Sequence, residues 1–148
     1  MPFSIREALL TDAATIATLS GQLGYTTTAE KTEARLLQLL NNDHHCVYVM
    51  LNNDTVVGWI HGFYSITVEY DPCIEIGGLV IDESHRRKGI GQMLVNKVVE
   101  WARTKNMNRI RVRSQVIRKE AHSFYLGLGF TPIKEQKVFD LIIAPGPI

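Results

Sequence analysis

The chain has 148 residues, about one domain's length and enough to bury roughly 68–70% of the surface its unfolded form exposes, so no disulfide or metal staple is required. Apolar residues make up 45% and charged residues 21%, which excludes a disordered, collagenous or disulfide-scaffold composition. Sixteen Lys and Arg against fifteen Asp and Glu leave a formal +1, so whole-chain charge gives no reason to expect nucleic acid or a membrane surface as partner.

Taken in chain order, Phe3 to Ala8 reads as a short strand, and Thr11-Asp12 offers caps for a helix with Ile16 and Leu19 on its apolar face. A second helix is expected from Thr28. Its stripe of Leu36, Leu37, Leu39 and Leu40 stops at the polar cluster Asn41-Asn42-Asp43. Cys46–Leu51 and Thr55–Phe63 flank Asn52-Asn53-Asp54, a hairpin signal, with Ser65–Tyr70 continuing the second arm beyond a bend. Ile74–Ile81 is β-branched and nearly all apolar at its end, the pattern of a central strand buried on both faces. Gly89–Lys105 places Ile90, Leu94, Val98 and Trp101 on one helical face. Arg109–Ser114 alternates apolar and basic residues as a half-buried strand does. A last helix, about Lys119 to Leu128, closes at Gly129 before a strand around Phe130 to Ile143. No internal repeat or linker interrupts 1–148, which reads as a single mixed α/β domain. Its two cysteines, Cys46 and Cys73, lie outside any secreted framework and fit reduced thiols; without a signal peptide or an apolar window of 18 residues, a cytoplasmic home is expected.

The charge is unevenly spread. Residues 1–84 hold 3 basic and 11 acidic side chains, whereas residues 85–119 hold 11 and 1. The densest part is His85-Arg86-Arg87-Lys88-Gly89-Ile90-Gly91-Gln92, between a buried strand and an amphipathic helix. Unpaired N–H groups of a first helical turn, the helix dipole and close backbone approach at glycines make this an anion site, and three cations reinforce it. Neither a Walker A loop nor a full dinucleotide fingerprint fits, because no Gly-Lys-Ser/Thr follows and Leu94 occupies the third glycine's place. A solvated basic turn is the plainer alternative.

Arg86-Arg-Lys-Gly89-Ile-Gly91 resembles the Arg/Gln-x-x-Gly-x-Gly/Ala signature of the GNAT superfamily, the acyl-coenzyme-A-dependent N-acyltransferases. A second element of that family, Ala-x-x-Phe-Tyr-x-x-x-Gly-Phe, is matched by Ala121 through Phe130, with Phe124-Tyr125 and Gly129-Phe130 in place. The resemblance implies a GNAT-like fold: a mixed, mostly antiparallel central sheet flanked by helices. It implies acetyl-coenzyme A as co-substrate and no metal. Backbone N–H groups of Arg87, Lys88, Gly89, Ile90, Gly91 and Gln92 would hold the pyrophosphate, with Arg86, Arg87 and Lys88 assisting by charge. The backbone of Leu79, Val80 and Ile81 would pair with the pantetheine arm and polarise the thioester carbonyl, through a splay between strands that sequence does not reveal.

Transfer to a primary amine of pKa near ~10.4 requires a base. Glu75, eleven residues before Arg86, matches the general-base glutamate of some family members, and an apolar setting favours the neutral form of a carboxyl group. A structural glutamate paired with Arg111 or Arg113 is the competing reading. Tyr125 matches the tyrosine that protonates the departing thiolate in many relatives. Arg118 stands seven residues earlier, where many relatives have a pantetheine-binding Asn, and takes that place in the cofactor site. His44-His45-Cys46 reads as a solvated turn, and Cys73, two residues from Glu75, as a remote candidate for a covalent acyl-cysteine.

These residues predict an N-acetyltransferase acting on a small-molecule or peptide amine. The acidic 1–84 segment favours a cationic acceptor. The resemblance also allows a homodimer through late strands. A coenzyme-A-binding sensor without turnover is the alternative, and nucleic-acid binding through residues 85–119 is weaker because no reading motif accompanies the charge.

Overall fold

The computed structural model describes residues 2–146, which divide into one compact unit ending at Arg113 and a second beginning at Ser114. In the first unit, Phe3–Glu7 (β1), His45–Asn52 (β2), Thr55–Ser65 (β3), Cys73–Ile81 (β4) and Ile110–Val112 (β5) form one sheet in that order. Neighbours among β1 to β4 are antiparallel, and β5 lies parallel to β4. This is the mixed, mostly antiparallel sheet with flanking helices that the sequence predicts.

Side chains alternate across the sheet. One face packs against Ile90–Thr104 (α3), whose Ile90, Leu94 and Val98 are at most 1% exposed; each buried aliphatic contributes about 1.5–3 kcal/mol. Glycines on β3 admit this helix: a Cβ on Gly62 would come within 3.0 Å of Val98 and one on Gly58 within 3.5 Å of Leu94. The opposite face carries Val47, Val49 and Trp59, packed with Ala8, Ala13, Ile16 and Leu36 beneath Ala13–Gly21 (α1) and Ala29–Leu40 (α2). Thr28 caps α2 by accepting from Lys31 N–H at 3.1 Å.

Several expectations are corrected. Leu37 and Leu40 are 51% and 37% exposed; Leu36 and Leu39 alone carry the α2 stripe into the core. Asp12 makes no side-chain cap to α1, because its carboxylate turns back to the Arg6 guanidinium at 2.7 and 2.9 Å and to Leu9 N–H at 2.8 Å. Burial alone would raise that carboxyl, but these partners hold it below its usual range. Strand β3 ends at Ser65 rather than running on to Tyr70, since its partner β4 begins opposite, at Cys73, and Pro72 just before it has no N–H to offer. Strand β5 keeps three of the six residues from Arg109 to Ser114.

In the second unit, Lys119–Gly127 (α4) ends with Gly129 at φ +96°, the left-handed closure expected there. Phe130 to Ile143 forms no strand. Val138, Phe139, Leu141, Ile142 and Ile143 are 85–91% exposed, and this unit has no strand among its described residues with which their backbone could pair.

Candidate active site

The site starts from an irregularity in β4. His61 pairs with Gly78 and Gly62 with Ile76, so Gly77 is an extra residue in the ladder, a bulge. Pairing with β5 reaches only Ile74–Ile76 opposite Ile110–Val112. Beyond it, Gly78, Leu79, Val80 and Ile81 pair with β3 alone, leaving their other backbone edge without β5. Among the described residues, the segment matched to pantetheine binding therefore has no strand paired on that side.

From Ile81 the chain runs through a short 3-10 turn at Glu83–His85 into the basic loop and α3. Asp82 fixes this passage. Its backbone N–H donates to Val57 O at 2.8 Å, and its carboxylate accepts from the Ser84 hydroxyl, from Gln22 Nε2 at 2.9 Å and from His85 Nδ1 at 2.7 Å. These three donors hold the carboxyl well below the usual range. Gln22 Oε1 also accepts from Glu83 N–H at 2.9 Å, so the end of α1 is tied to the turn. No short motif announces this arrangement; the Asp-x-Ser-His string before a helix is its one local sign.

Arg87 at φ +64° and Gly89 at φ +79° turn the loop sharply into α3. The helical ladder opens with Met93 N–H donating to Gly89 O at 3.1 Å, so the N–H groups of Ile90, Gly91 and Gln92 precede it. Space around Gly89 is open: a Cβ there would meet nothing within 4 Å. Arg86, Arg87 and Lys88 are exposed, and none forms an ion pair among the described residues. Arg86 Nε leans back on Ile81 O at 3.4 Å. A left-handed glycine, unladdered N–H groups and uncommitted cations fit a polyphosphate anion.

Glu75 is 7% exposed. Its Oε1 accepts from Arg113 Nε at 3.0 Å, so the arginine pairing weighed from sequence is present, with Arg113 rather than Arg111. Glu75 sits opposite Phe63 on β3 and shares its sheet face with His61 and with His45 on β2. His45 Nδ1 and His61 Nε2 are 2.9 Å apart; His45 stacks on Phe63, and His61 lies tilted against it. His45 is thus part of a packed cluster, not a solvated turn. Sequence reading missed it because the register shift between Met50 and Leu51 moves His45 onto the face of Phe63, which simple hairpin pairing does not give.

Cys73 is 1% exposed and burial pushes its thiol up; Cys46, also buried, is pushed up to about 12. Neither is a poised nucleophile. Tyr125 and Arg118 belong to the second unit. Tyr125, half-buried on α4, packs edge-on to Phe124 and Phe130 at 5.1 and 5.4 Å between centroids, while Arg118 precedes the helix and donates its N–H to Gln115 O at 3.0 Å.

A model of the acetyltransferase (GNAT) family matches residues 13–130. The chain is 27% identical over 96 residues to a Danio rerio N-acetylaspartate synthetase, covering 65% of this chain and about a third (33%) of that protein. It is 26% identical over 98 residues to an uncharacterized N-acetyltransferase of Bacillus subtilis (strain 168), covering 66% and 69%. Its fold is similar to that of the aminoglycoside acetyltransferase AAC(6')-Iy in complex with a bisubstrate analogue, CoA-S-monomethyl-acetylneamine, with a TM-score of 0.83 at 16% identity over 95% of this chain and 99% of that one.

Proposed function

The chain belongs to the GNAT acetyltransferase family, and from that premise we propose that it transfers an acetyl group from acetyl-coenzyme A to a primary amine by direct attack through a tetrahedral intermediate. The observation that carries this reading is the β4 edge that β5 leaves at Ile76, running directly into the loop that ends at the left-handed Gly89. Backbone groups of Leu79, Val80 and Ile81 would take the pantetheine arm and polarise the carbonyl. The N–H groups of Arg87 through Gln92, with the charges of Arg86 to Lys88, would take the pyrophosphate. Glu75 would accept a proton from the amine, and Tyr125 would supply one to the leaving thiolate, with Arg118 on the cofactor side. In this reading residues 1–148 act as one transferase domain.

A cationic acceptor is the preferred class, because residues 1–84 hold 11 acidic side chains against 3 basic. Thiol release from acetyl-coenzyme A is to be followed against spermine, kanamycin, a lysine peptide and aspartate. Turnover is expected with at least one cationic amine, and no release with any amine overturns the assignment. Gly89→Asp puts a carboxylate where the anion would sit, in space a Cβ does not contest, although at φ +79° any side chain also strains the backbone there. Calorimetry should then show acetyl-coenzyme A binding weakened by about tenfold or more, that is ~1.4 kcal/mol, with an unchanged circular dichroism spectrum; unaltered affinity refutes the loop's role.

A further inference from the structure

The basic loop is fixed at its far end by α3, whose Ile90 is 1% exposed. Its near end leaves β4 at Asp82, whose N–H donates to Val57 O at 2.8 Å. That bond holds Asp82 in place and leaves open the direction of the residues after it. Within the turn, the Ser84 hydroxyl and His85 Nδ1 both donate to Oδ2 of Asp82, which closes the turn on itself. Oδ1 of Asp82 instead meets Gln22, at the end of α1.

We propose that Gln22 is a positioning residue for acetyl-coenzyme A, its side-chain amide setting the angle at which the phosphate loop leaves β4; the inference rests on the transferase reading above. Gln22 Nε2 donates to Asp82 Oδ1 and Gln22 Oε1 accepts from Glu83 N–H, both at 2.9 Å. A carboxylate needs a donor and an N–H needs an acceptor, and one amide in one orientation meets both. Two consecutive residues of the turn are thus gripped by a side chain 60 and 61 positions away. On its other flank the turn is linked to the end of β2, where His85 Nε2 is 3.2 Å from Asn52 Nδ2.

Helix α1 does not need this side chain for its own fold. Ala13, Ile16 and Leu19 are 4–5% exposed and pack it in place, and the backbone N–H of Gln22 closes its last turn on Leu19 O at 3.1 Å. Glu83 is exposed, so water takes its N–H when the amide is gone. Loss of the link therefore costs little stability and frees the direction of the loop. Downstream, Arg86, Arg87 and Lys88 form no ion pair among the described residues, and the N–H groups of Arg87 to Gln92 follow the course the chain has been given. Several N–H groups converging on one pyrophosphate tolerate little misdirection, because each bond weakens steeply as its alignment falls. The thioester would lie along β4 instead, so the effect belongs to cofactor affinity rather than to the chemical step.

The test uses the full chain, acetyl-coenzyme A, and whichever amine of the panel gives turnover. Gln22→Ala should weaken acetyl-coenzyme A binding in calorimetry about five- to tenfold and raise its KM by the same factor, with kcat changed by less than about twofold. Hydrogen exchange at the Glu83 amide should quicken in the same variant. Gln22→Glu keeps the shape of the side chain. Ionised, it sets a second carboxylate against Asp82; protonated, its O–H donates to Asp82 and its C=O accepts from Glu83 N–H as the amide does. Its deficit relative to the unaltered protein should shrink several-fold from pH 8 to pH 5 at constant salt, since an ordinary Glu has a pKa near ~4.3 and a neighbouring carboxylate raises it. Asp82, Glu83 and His85, the titratable groups of the turn, are common to both proteins and cancel in that ratio. Unchanged affinity in Gln22→Ala overturns the proposal even where exchange at Glu83 quickens, and so does a Gln22→Glu deficit that persists at pH 5. Failure of the unaltered protein to bind acetyl-coenzyme A at all refutes the transferase reading, and the positioning role with it.

Discussion

Burial sets the charge of His61 before any substrate arrives. An ordinary histidine has a pKa near 6.5, whereas burial lowers this one to about 4. Between those values the unfolded chain binds more protons than the folded one, so this group makes stability rise with pH across that window. Its contribution is complete above about pH 6.5 and is lost as pH falls toward 4. His45 at the start of β2 and Glu75 on β4 are the titratable groups that share its sheet face. Thermal melts should therefore show an acid-side loss on the order of 1–2 kcal/mol that is smaller in His61→Gln. Identical acid slopes in both proteins would remove the assignment.

At the scale of elements, the β4–α3 connection depends on one carboxylate. Asp82 gathers Gln22, Ser84 and His85, and His85 Nε2 is in turn 3.2 Å from Asn52 Nδ2. Asp82→Ala leaves these donors without their acceptor, a loss of about 1–3 kcal/mol, or a melting point lower by about 2–10 °C. Hydrogen exchange should speed up at the amides of residues 83–88, and coenzyme A affinity should fall several-fold; unchanged exchange there would show the loop to be held otherwise. Much of this region is legible in sequence. The helix from Ile90, its buried face and the glycine at its start follow from periodicity and composition, as does the hairpin around Asn53, which adopts φ +55°. What escaped is set by contacts far apart in the chain: Gln22 lies 60 residues from Asp82, and the short reach of β5 is a property of pairing, which no local pattern encodes.

For the whole molecule, the balance of +1 hides a division of labour among cations. Arg113 is committed to Glu75, and Arg111 lies over the Tyr70 ring at 5.3 Å, so the strand arginines that looked like one basic stripe are partly spent inside the fold. Arg86, Arg87 and Lys88 remain exposed in the loop. Their attraction for a polyphosphate is screened by salt, since the Debye length falls from about 10 Å at 0.1 M to about 3 Å at 1 M. Coenzyme A affinity measured from 0.05 to 0.5 M NaCl should fall about five- to tenfold, and Arg87→Ala should flatten that slope. A salt-independent affinity would mean that the phosphates bind elsewhere.

Gly77 also sets the phase of β4. In an uninterrupted strand Glu75 would share its face with residues 77, 79 and 81. The extra residue instead aligns Glu75 with Gly78 and Val80, opposite Phe63, His61 and Trp59, and sends Leu79 and Ile81 toward α3. The strand thus behaves as two independently keyed halves. Deleting Gly77 would join Ile76 to Gly78 opposite Gly62 and His61 and leave both halves facing as they do now, so the strand would lose its kink and keep its sidedness.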